Sequence, residues 1–130
     1  MDGYCSTAGS GYTTHLLELM SQRWRDESEV DRPRWRHQLR LVVTDEIANV
    51  AAMLVVAGGS NDKPTPDQAN PLLAIAAMMT RSVTAELRMV PNQPLTFAGE
   101  TDQRAEDGII AYSWDKYLRT GTRLGRCVYR

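Results

Sequence analysis

The sequence predicts an α/β protein in which an antiparallel pair of strands is followed by a strand–helix–strand–helix run. Three observations predict this class: alternating apolar and polar residues at 35–43, an unbroken apolar run at 50–57, and helix start signals at residues 70 and 71. Strands that alternate with helices are typical of a mostly parallel sheet with right-handed crossovers. The order of the segments therefore indicates an α/β sheet.

Size and composition fit one small domain. The chain has 130 residues, a formal net charge of -1 and 42% hydrophobic residues. The balanced charge disfavours an expanded chain, and it lacks the basic excess typical of nucleic-acid binders. The longest apolar run, residues 50–57, is far shorter than the roughly 18 residues that span a membrane. We therefore expect a globular domain with no membrane span.

Residues 1–11 predict a flexible lead-in, because they are rich in glycine and small polar residues and show no periodicity. No basic cluster precedes an apolar segment there, so no secretory signal is expected and the chain as written is predicted to be cytoplasmic. Cys5 and Cys127 show neither a disulfide framework nor a metal-site spacing. Both are predicted to be free thiols.

The first two strands are expected at residues 12–20 and 35–43, with a polar, acidic loop at 21–34. The second has the clearest two-residue period, with one apolar face and one face assigned to solvent. The apolar face comprises Trp35, His37, Leu39, Leu41 and Val43, and the solvent face comprises Arg36, Gln38 and Arg40. These two strands are expected to pair antiparallel.

Residues 50–57 are apolar at every position, which predicts a central strand covered on both faces. After a loop with two prolines, Asn70 is a good N-cap and Pro71 suits the first helical position, so a helix is expected to run to Thr80. Its buried face is expected to comprise Leu72, Ile75, Ala76 and Met79.

Residues 82–89 alternate again and predict a strand that the following prolines end. An uncovered sheet edge beside this strand would favour self-association. The last predicted element is a helix from about residue 104 to Arg119, with Gly121 as its left-handed cap. Its apolar face is expected to comprise Ile110, Trp114, Tyr117 and Leu118.

The loop after the predicted central strand is the first candidate site, and it comprises Gly58, Gly59, Ser60 and Asn61. Open α/β sheets bind ligands beyond the carboxyl ends of their strands. Glycines let the backbone approach a ligand and turn N–H groups outward, as an anion site or oxyanion hole requires. A plain glycine turn explains the same residues.

A second candidate loop follows the next strand and gathers three polar side chains that would fit substrate positioning: Arg88, Asn92 and Gln93. An ordinary crossover loop explains these residues equally well. If both loops end parallel strands, they share one edge of the sheet.

Arg-Trp-Arg occurs at residues 23–25 and again at 34–36, a mixture of basic and aromatic side chains found in single-stranded nucleic-acid sites. Acidic residues between the two copies would repel phosphates, so nucleic acid is not the expected partner. Core or lid positions are the simpler interpretation of the three tryptophans, Trp24, Trp35 and Trp114.

Catalytic chemistry has little support in these residues. His15 and His37 are expected to face each other across the first two strands, but no third ligand lies at zinc spacing. No Gly-x-Ser-x-Gly elbow occurs in the sequence. We therefore expect no metal, no cofactor and no catalytic residue in this chain.

Collinear stretches between about residue 11 and Gly121 carry a family resemblance. They lie at residues 11–15, 21–24, 29–33 with 35–37, 58–61, 85–95, and 106–107 with 110–118. The most specific is Glu-Leu-Arg-Met-Val-Pro-Asn-Gln-Pro at 86–94. Together they resemble the PhoPQ-activated pathogenicity-related proteins, which include the autocrine proliferation repressors. Gln38 and Thr44 depart from the pattern, where an aromatic residue and a proline are expected.

The resemblance implies an α/β-hydrolase-like fold in longer, often exported chains. It places residues 58–61 in the loop where such hydrolases build part of the oxyanion hole. The nucleophile elbow and its acid and histidine partners would follow Gly121 and do not occur here. The likeness stops there, so residues 12–121 are expected to be a partial hydrolase-like domain and 122–130 an unmatched basic tail of a truncated or frameshifted gene.

Two functions follow as hypotheses. The first is a truncated member of this family without catalytic activity of its own. The alternative is a non-enzymatic module that binds a small ligand or a protein through the loops at the strand ends.

Overall fold

The computed structural model describes residues 4–64 and 68–121. Its strands are β1 (Tyr4–Ala8), β2 (Tyr12–Arg23), β3 (Arg34–Thr44), β4 (Met53–Val56), β5 (Thr84–Arg88), β6 (Leu95–Thr96) and β7 (Gln103–Arg104), and its helices are α1 (Pro71–Thr80) and α2 (Asp107–Thr120). Cys127 and the predicted tail 122–130 lie outside the described residues.

Five of these strands form one mixed sheet in the order β1-β2-β3-β5-β4. β4 and β5 are parallel and are joined through α1, whereas the other neighbouring pairs are antiparallel. The α/β class and the antiparallel pair β2–β3 are confirmed. The expected mostly parallel sheet is wrong, because β5 inserts beside β3 and runs against it. β6 and β7 form a separate antiparallel pair of two residues each.

β1 lies within the predicted flexible lead-in and corrects that expectation for residues 4–8. It pairs antiparallel with β2 after a tight turn, in which the Gly9 N–H donates to the Tyr12 carbonyl at 2.8 Å and Gly11 has φ +84°. Every β1 side chain, including that of Cys5, is exposed. Main-chain pairing forms this strand, so it leaves no hydrophobic pattern in the sequence.

The hairpin β2–β3 is longer than expected and extends β2 to Arg23, inside the predicted polar loop. A register shift between Met20 and Gln22 leaves Ser21 as an extra residue, which is a β-bulge. The predicted histidine pair is wrong. His15 lies opposite Leu41, and His37 lies opposite Leu19, four positions along the strand.

The buried face of β3 changes along its length. Trp35 and His37 are buried near its start, whereas Arg40, Val42 and Thr44 are buried further on. Odd and even positions of a strand point to opposite faces of the sheet. One core holds Trp24, Val30, Trp35, Leu95, Phe97 and Ile109, and the other holds Val42, Ala74 and Ala77. Two small cores therefore lie on opposite faces over different parts of the sheet.

This switch corrects the solvent assignment of Arg40. Its side chain is 3% exposed and lies 3.3 Å from the Glu86 carboxylate, measured from Nη1 to Oε2. β5 supplies Glu86 directly opposite Arg40, and α1 packs against β3 and β5. Arg36, four residues earlier on the same face, is exposed as expected.

Helix α1 has the expected bounds, and the Asn70 side chain accepts from the Leu72 N–H at 3.0 Å. The expected buried face is wrong, because the helix buries its other side: Leu73, Ala74 and Ala77. Leu72 is 72% exposed and Met79 is 81% exposed. The alanines permit close approach to the sheet, and a helix that is apolar at most positions gives no periodic signal.

Helix α2 begins at Asp107 and ends at the expected cap, where the Gly121 N–H donates to the Tyr117 carbonyl at 2.9 Å. Its predicted apolar face is exposed, and only Ile109 of this helix is buried. Tyr112 stacks on Phe97 with ring centroids 3.7 Å apart. The helix therefore packs through its first turns, on a side shifted by one residue from the prediction.

β4 corrects two expectations about the sheet. It is an edge strand rather than a central one, and Leu54 and Val56 are each 57% exposed. β5, the strand whose edge was expected to be uncovered, lies between β3 and β4. Within the described residues, neither helix is long and apolar enough to cross a membrane.

Candidate ligand site at the strand ends

The two candidate loops lie side by side at the carboxyl ends of β4 and β5. Hydrogen bonds continue the parallel ladder past the strands: the Ala57 N–H donates to the Leu87 carbonyl at 2.8 Å, and the Val90 N–H donates to the Ala57 carbonyl at 3.3 Å. The structure thus brings the loops of residues 58–61 and 89–93 together, as the sequence predicts.

Gly59 is needed for this close approach. A Cβ atom at residue 59 would lie 2.4 Å from the Met89 Sδ and 3.3 Å from the Met89 nitrogen. At Gly58 the same atom would meet nothing within 4 Å. The second glycine of the pair therefore lets the two loops touch, whereas the first has open space beside it.

Gln93 ties the two loops to the start of α2. Its Nε2 donates to the Gly59 carbonyl at 3.2 Å, and its Oε1 accepts from the Glu106 N–H at 2.7 Å. Nε2 also lies 3.3 Å from the Glu106 carboxylate. The side chain is buried, so its amide is engaged at both ends inside the protein.

The side chains of Asn92 and Asn61 also donate hydrogen bonds to backbone carbonyls. The Asn92 amide donates to the Arg36 carbonyl of β3, and the Asn61 amide donates to the Pro94 carbonyl at 3.2 Å. The Asn61 N–H donates to the Gln93 carbonyl. These side chains position the loops, and direct contact with a substrate stays a prediction for Asn92 and Gln93.

Backbone donors remain free in the first loop. Within the part of the chain that the structure describes, the N–H groups of Gly58, Gly59 and Ser60 donate to no protein acceptor. The Ser60 carbonyl accepts from the Lys63 N–H at 3.2 Å, and its Oγ accepts from the Asp62 N–H at 3.3 Å, which closes a turn. Consecutive free N–H groups at a strand end can bind an anion or a developing oxyanion.

Arg88, the third predicted side chain, is the last residue of β5 and lies opposite Gln38 of β3. It is half-buried. Met89 follows it directly and contacts Gly59, so Arg88 lies at the base of the two loops. It belongs to the same end of the sheet as the free N–H groups.

Sequence reasoning missed two groups near this end of the molecule. Glu106 is one, because only the fold brings it to Gln93. The other is a hydrogen bond of 2.7 Å between the Ser21 Oγ and the His37 Nε2. A hydroxyl that contacts an imidazole resembles a nucleophile with its base. The His37 Nδ1 is buried and has no hydrogen-bond partner among the described residues, so no orienting acid completes the arrangement there.

The described residues give no support for a metal-ion site or for a nucleic-acid site. In the described ranges, no three or more His, Cys, Asp or Glu side chains form a group that could hold a metal ion. Trp24 and Trp35 are buried in the first core and cannot stack on bases, which confirms the core interpretation for both. Trp114 is 61% exposed, so a core position is wrong for that residue.

Comparison with known proteins gives the family. The model of the PhoPQ-activated pathogenicity-related protein family matches residues 5–127. Autocrine proliferation repressor protein A of Dictyostelium discoideum is 34% identical over 108 residues, which cover 82% of this chain and 22% of that protein. No solved structure matches this chain. The chain belongs to the PhoPQ-activated pathogenicity-related protein family.

Proposed function

We propose that this chain forms the part of an α/β-hydrolase-like domain that supplies the oxyanion side of an active site, and that it has no hydrolytic activity by itself. The observation that carries this proposal is the row of free N–H groups at Gly58, Gly59 and Ser60. They lie in the loop between β4 and α1. In α/β hydrolases, one oxyanion donor comes from a loop between a strand and the helix that follows it.

The topology of the sheet supports this location. β5 already has neighbours on both sides, so a further parallel strand has β4 as its only partner in the parallel part of the sheet. The chain passes from β4 through α1 to β5, which lies on one side of β4. A connection from β5 through α2 to a further strand on the other side of β4 would cross the sheet in the opposite direction. Chain connections that diverge in this manner create the crevice where open α/β sheets bind ligands. The free N–H groups lie at the end of β4 where that crevice would form.

Exposed apolar surface agrees with a larger domain. Leu54 and Val56 of β4 and Trp114 of α2 are each more than half exposed. Large apolar side chains that remain exposed are typical of surfaces that another segment or protein covers. The Dictyostelium relative is much longer than the matched region, since this chain spans 22% of it.

The lack of activity follows from the missing nucleophile machinery. Serine hydrolases need a serine, a base and an orienting acid around a strand-to-helix elbow, and no such elbow occurs in the sequence. The contact between Ser21 and His37 lies in a β-bulge and has no third member among the described residues. We therefore assign the chain oxyanion-side groups without a nucleophile.

Two measurements test this proposal. In ¹⁵N–¹H NMR spectra, phenylphosphonate as an oxyanion analogue should shift the N–H signals of Gly58, Gly59 and Ser60 in a saturable way. The N–H of Asn61 is the internal control, because it already donates to Gln93. The purified chain should hydrolyse p-nitrophenyl acetate no faster than its Ser21→Ala and Ser60→Ala variants do.

Either of two results would overturn the proposal. One is hydrolysis that persists through purification and is lost in a serine variant. The other is a set of phosphonate shifts that leaves residues 58–60 unchanged.

The alternative is a binding module without chemistry, which the free edge of β4 favours. An edge strand offers unpaired backbone groups to another chain, and β4 has apolar side chains on both faces. Under this alternative, the chain should bind a partner or associate with itself through β4, and phosphonate should have no effect on the loop.

A further inference from the structure

Arg88 differs from the other arginines that are not exposed. Among the described residues, each of the other half-buried or buried arginines lies within 4.0 Å of a carboxylate: Arg25 with Glu29, Arg32 with Asp62, Arg40 with Glu86, and Arg104 with Glu100. Arg88 makes no such ion pair within the described part of the chain. Arginines that lose contact with water are usually paired, so its missing partner is informative.

Two residues that are paired across β3 and β5 each carry a buried polar atom without a hydrogen bond. The Arg88 Nε is buried and has no hydrogen-bond partner in the described structure, and the same holds for the Gln38 Oε1 on the neighbouring strand. The two residues are directly opposite each other in the pairing of β3 with β5. Buried polar groups are nearly always hydrogen-bonded in native proteins, and an exception calls for an explanation such as a catalytic role or a bound ion.

The charges around this position leave Arg88 uncompensated. The strand register places the charged residues Glu18, Arg36, Arg40 and Glu86 on the same face of the sheet. Glu18 pairs with Arg36 at 3.4 Å, and Glu86 pairs with Arg40 at 3.3 Å. The charges compensate within each pair, and Arg34, which lies on the same face at the start of β3, is exposed to water. Among the charged residues of this face that are not exposed, Arg88 is therefore the one without an ion pair in the described structure.

We propose that Arg88 is a specificity-determining residue that binds the acidic group of a small-molecule substrate, a carboxylate or a phosphate, at the base of the loop site. A guanidinium binds either group through two parallel N–H···O bonds, and the edge formed by Nε and one Nη is one of its two forks. Nε is the atom that lacks a partner. This inference rests on the proposed function, which places the substrate at residues 58–60.

The test follows the Arg88 Nε–H signal in ¹⁵N–¹H NMR spectra of the 130-residue chain. Acetate and methyl phosphate are titrated separately, and either should shift this signal in a saturable way at neutral pH. Arg88→Gln should abolish the shifts of neighbouring backbone signals. Gln38→Glu should weaken binding by about tenfold or more, because it places an internal carboxylate opposite Arg88.

Arg34→Gln is the matched control, since it removes the same charge from an exposed arginine on the same sheet. It should leave the affinity for both anions unchanged. Backbone spectra of every variant confirm that the fold is retained. A response to acetate alone identifies a carboxylate as the bound group, and a response to methyl phosphate alone identifies a phosphate.

The inference is overturned if neither anion shifts the Arg88 signal, or if Arg34→Gln weakens binding as much as Arg88→Gln. Its failure is separable from that of the proposed function. An Arg88 response with unchanged Gly58–Ser60 signals would support the proposed anion subsite and contradict the proposed oxyanion loop. Shifted Gly58–Ser60 signals with an unchanged Arg88 signal would support the proposed oxyanion loop and contradict the proposed anion subsite.

Discussion

The side-chain amide of Gln93 donates to the Gly59 carbonyl across 3.2 Å while its oxygen accepts from the Glu106 N–H at 2.7 Å. One buried glutamine thus fixes the glycine loop to the segment that enters α2. Loss of this amide leaves a carbonyl and an N–H without partners, and each unsatisfied group in a buried setting is costly.

We expect Gln93→Leu to lower the free energy of unfolding by about 1–3 kcal/mol and to increase hydrogen exchange at residues 58–61. Chemical denaturation and exchange measured by NMR check these two effects. Gln103→Leu, at an exposed glutamine of β7, is the control and should change neither. Unchanged exchange in the loop of the Gln93 variant would show that the amide does not hold it.

Gly58 and Gly59 offer a matched pair of substitutions. Gly59→Ala forces its Cβ against Met89, with the backbone nitrogen only 3.3 Å away, so we expect a loss of about 1–3 kcal/mol. Gly58→Ala meets open space and should change stability by less than about 1 kcal/mol. Thermal unfolding of both variants checks the contrast, and equal effects would refute the assigned close approach.

The buried pair of Arg40 and Glu86 should show strong coupling. Glu86→Leu leaves the Arg40 charge buried and without this partner, which we expect to cost about 3–5 kcal/mol. The double variant Arg40→Met with Glu86→Leu should recover much of the loss. Arg119→Met, which breaks an exposed pair with Asp115, should cost no more than about 1 kcal/mol. A double-mutant cycle by denaturation measures the coupling, and additive losses would contradict it.

Glu100 gives a prediction about pH. Hydrogen bonds from Arg104, at 2.7 and 2.8 Å, lower the pKa of the Glu100 carboxyl below its ordinary value. A lowered carboxyl pKa contributes stability that is present above the unfolded-state pKa and is lost as pH falls through the folded-state pKa. Arg104→Gln should therefore raise the pKa of Glu100, as ¹³C NMR of its carboxyl measures. Arg119→Gln is the control, and a pKa that stays low in the Arg104 variant would exclude this cause.

The free edge of β4 predicts the association behaviour under the alternative function. If β4 pairs with another copy, sedimentation velocity should show larger species as concentration rises, and Leu54→Lys should abolish them. Met79→Lys adds the same charge to an exposed apolar position of α1 and should leave association unchanged. A monomer at every concentration would remove self-association through this edge.

Local chemistry made much of the fold predictable from the sequence. The alternation at 35–43, the Asn70–Pro71 start of α1 and the Gly121 end of α2 are all encoded within a few residues, and the structure has each of them. The two candidate loops were also predictable as neighbours, because parallel strands end at one edge.

Features that depend on the neighbours of an element could not be read from the sequence. Arg40 looks like a solvated residue until β5 supplies Glu86 opposite it, and the exposed Leu72 looks like a core residue of α1. β4 is apolar throughout but lies at an edge. The engagement of Gln93 with Gly59 joins residues far apart in sequence, so no local pattern reveals it.

The interior position of β5 also bears on the order in which the chain can assemble during synthesis. β2 and β3 are adjacent in sequence and can close as a hairpin early, whereas β5 pairs with β3 only after β4 and α1 have been made. Until then Arg40 lacks Glu86, and one side of β3 is an open edge. While only the β2–β3 hairpin has formed, the open edge of β3 can therefore pair with a wrong strand. Pairing with β5 covers this edge and ends that risk.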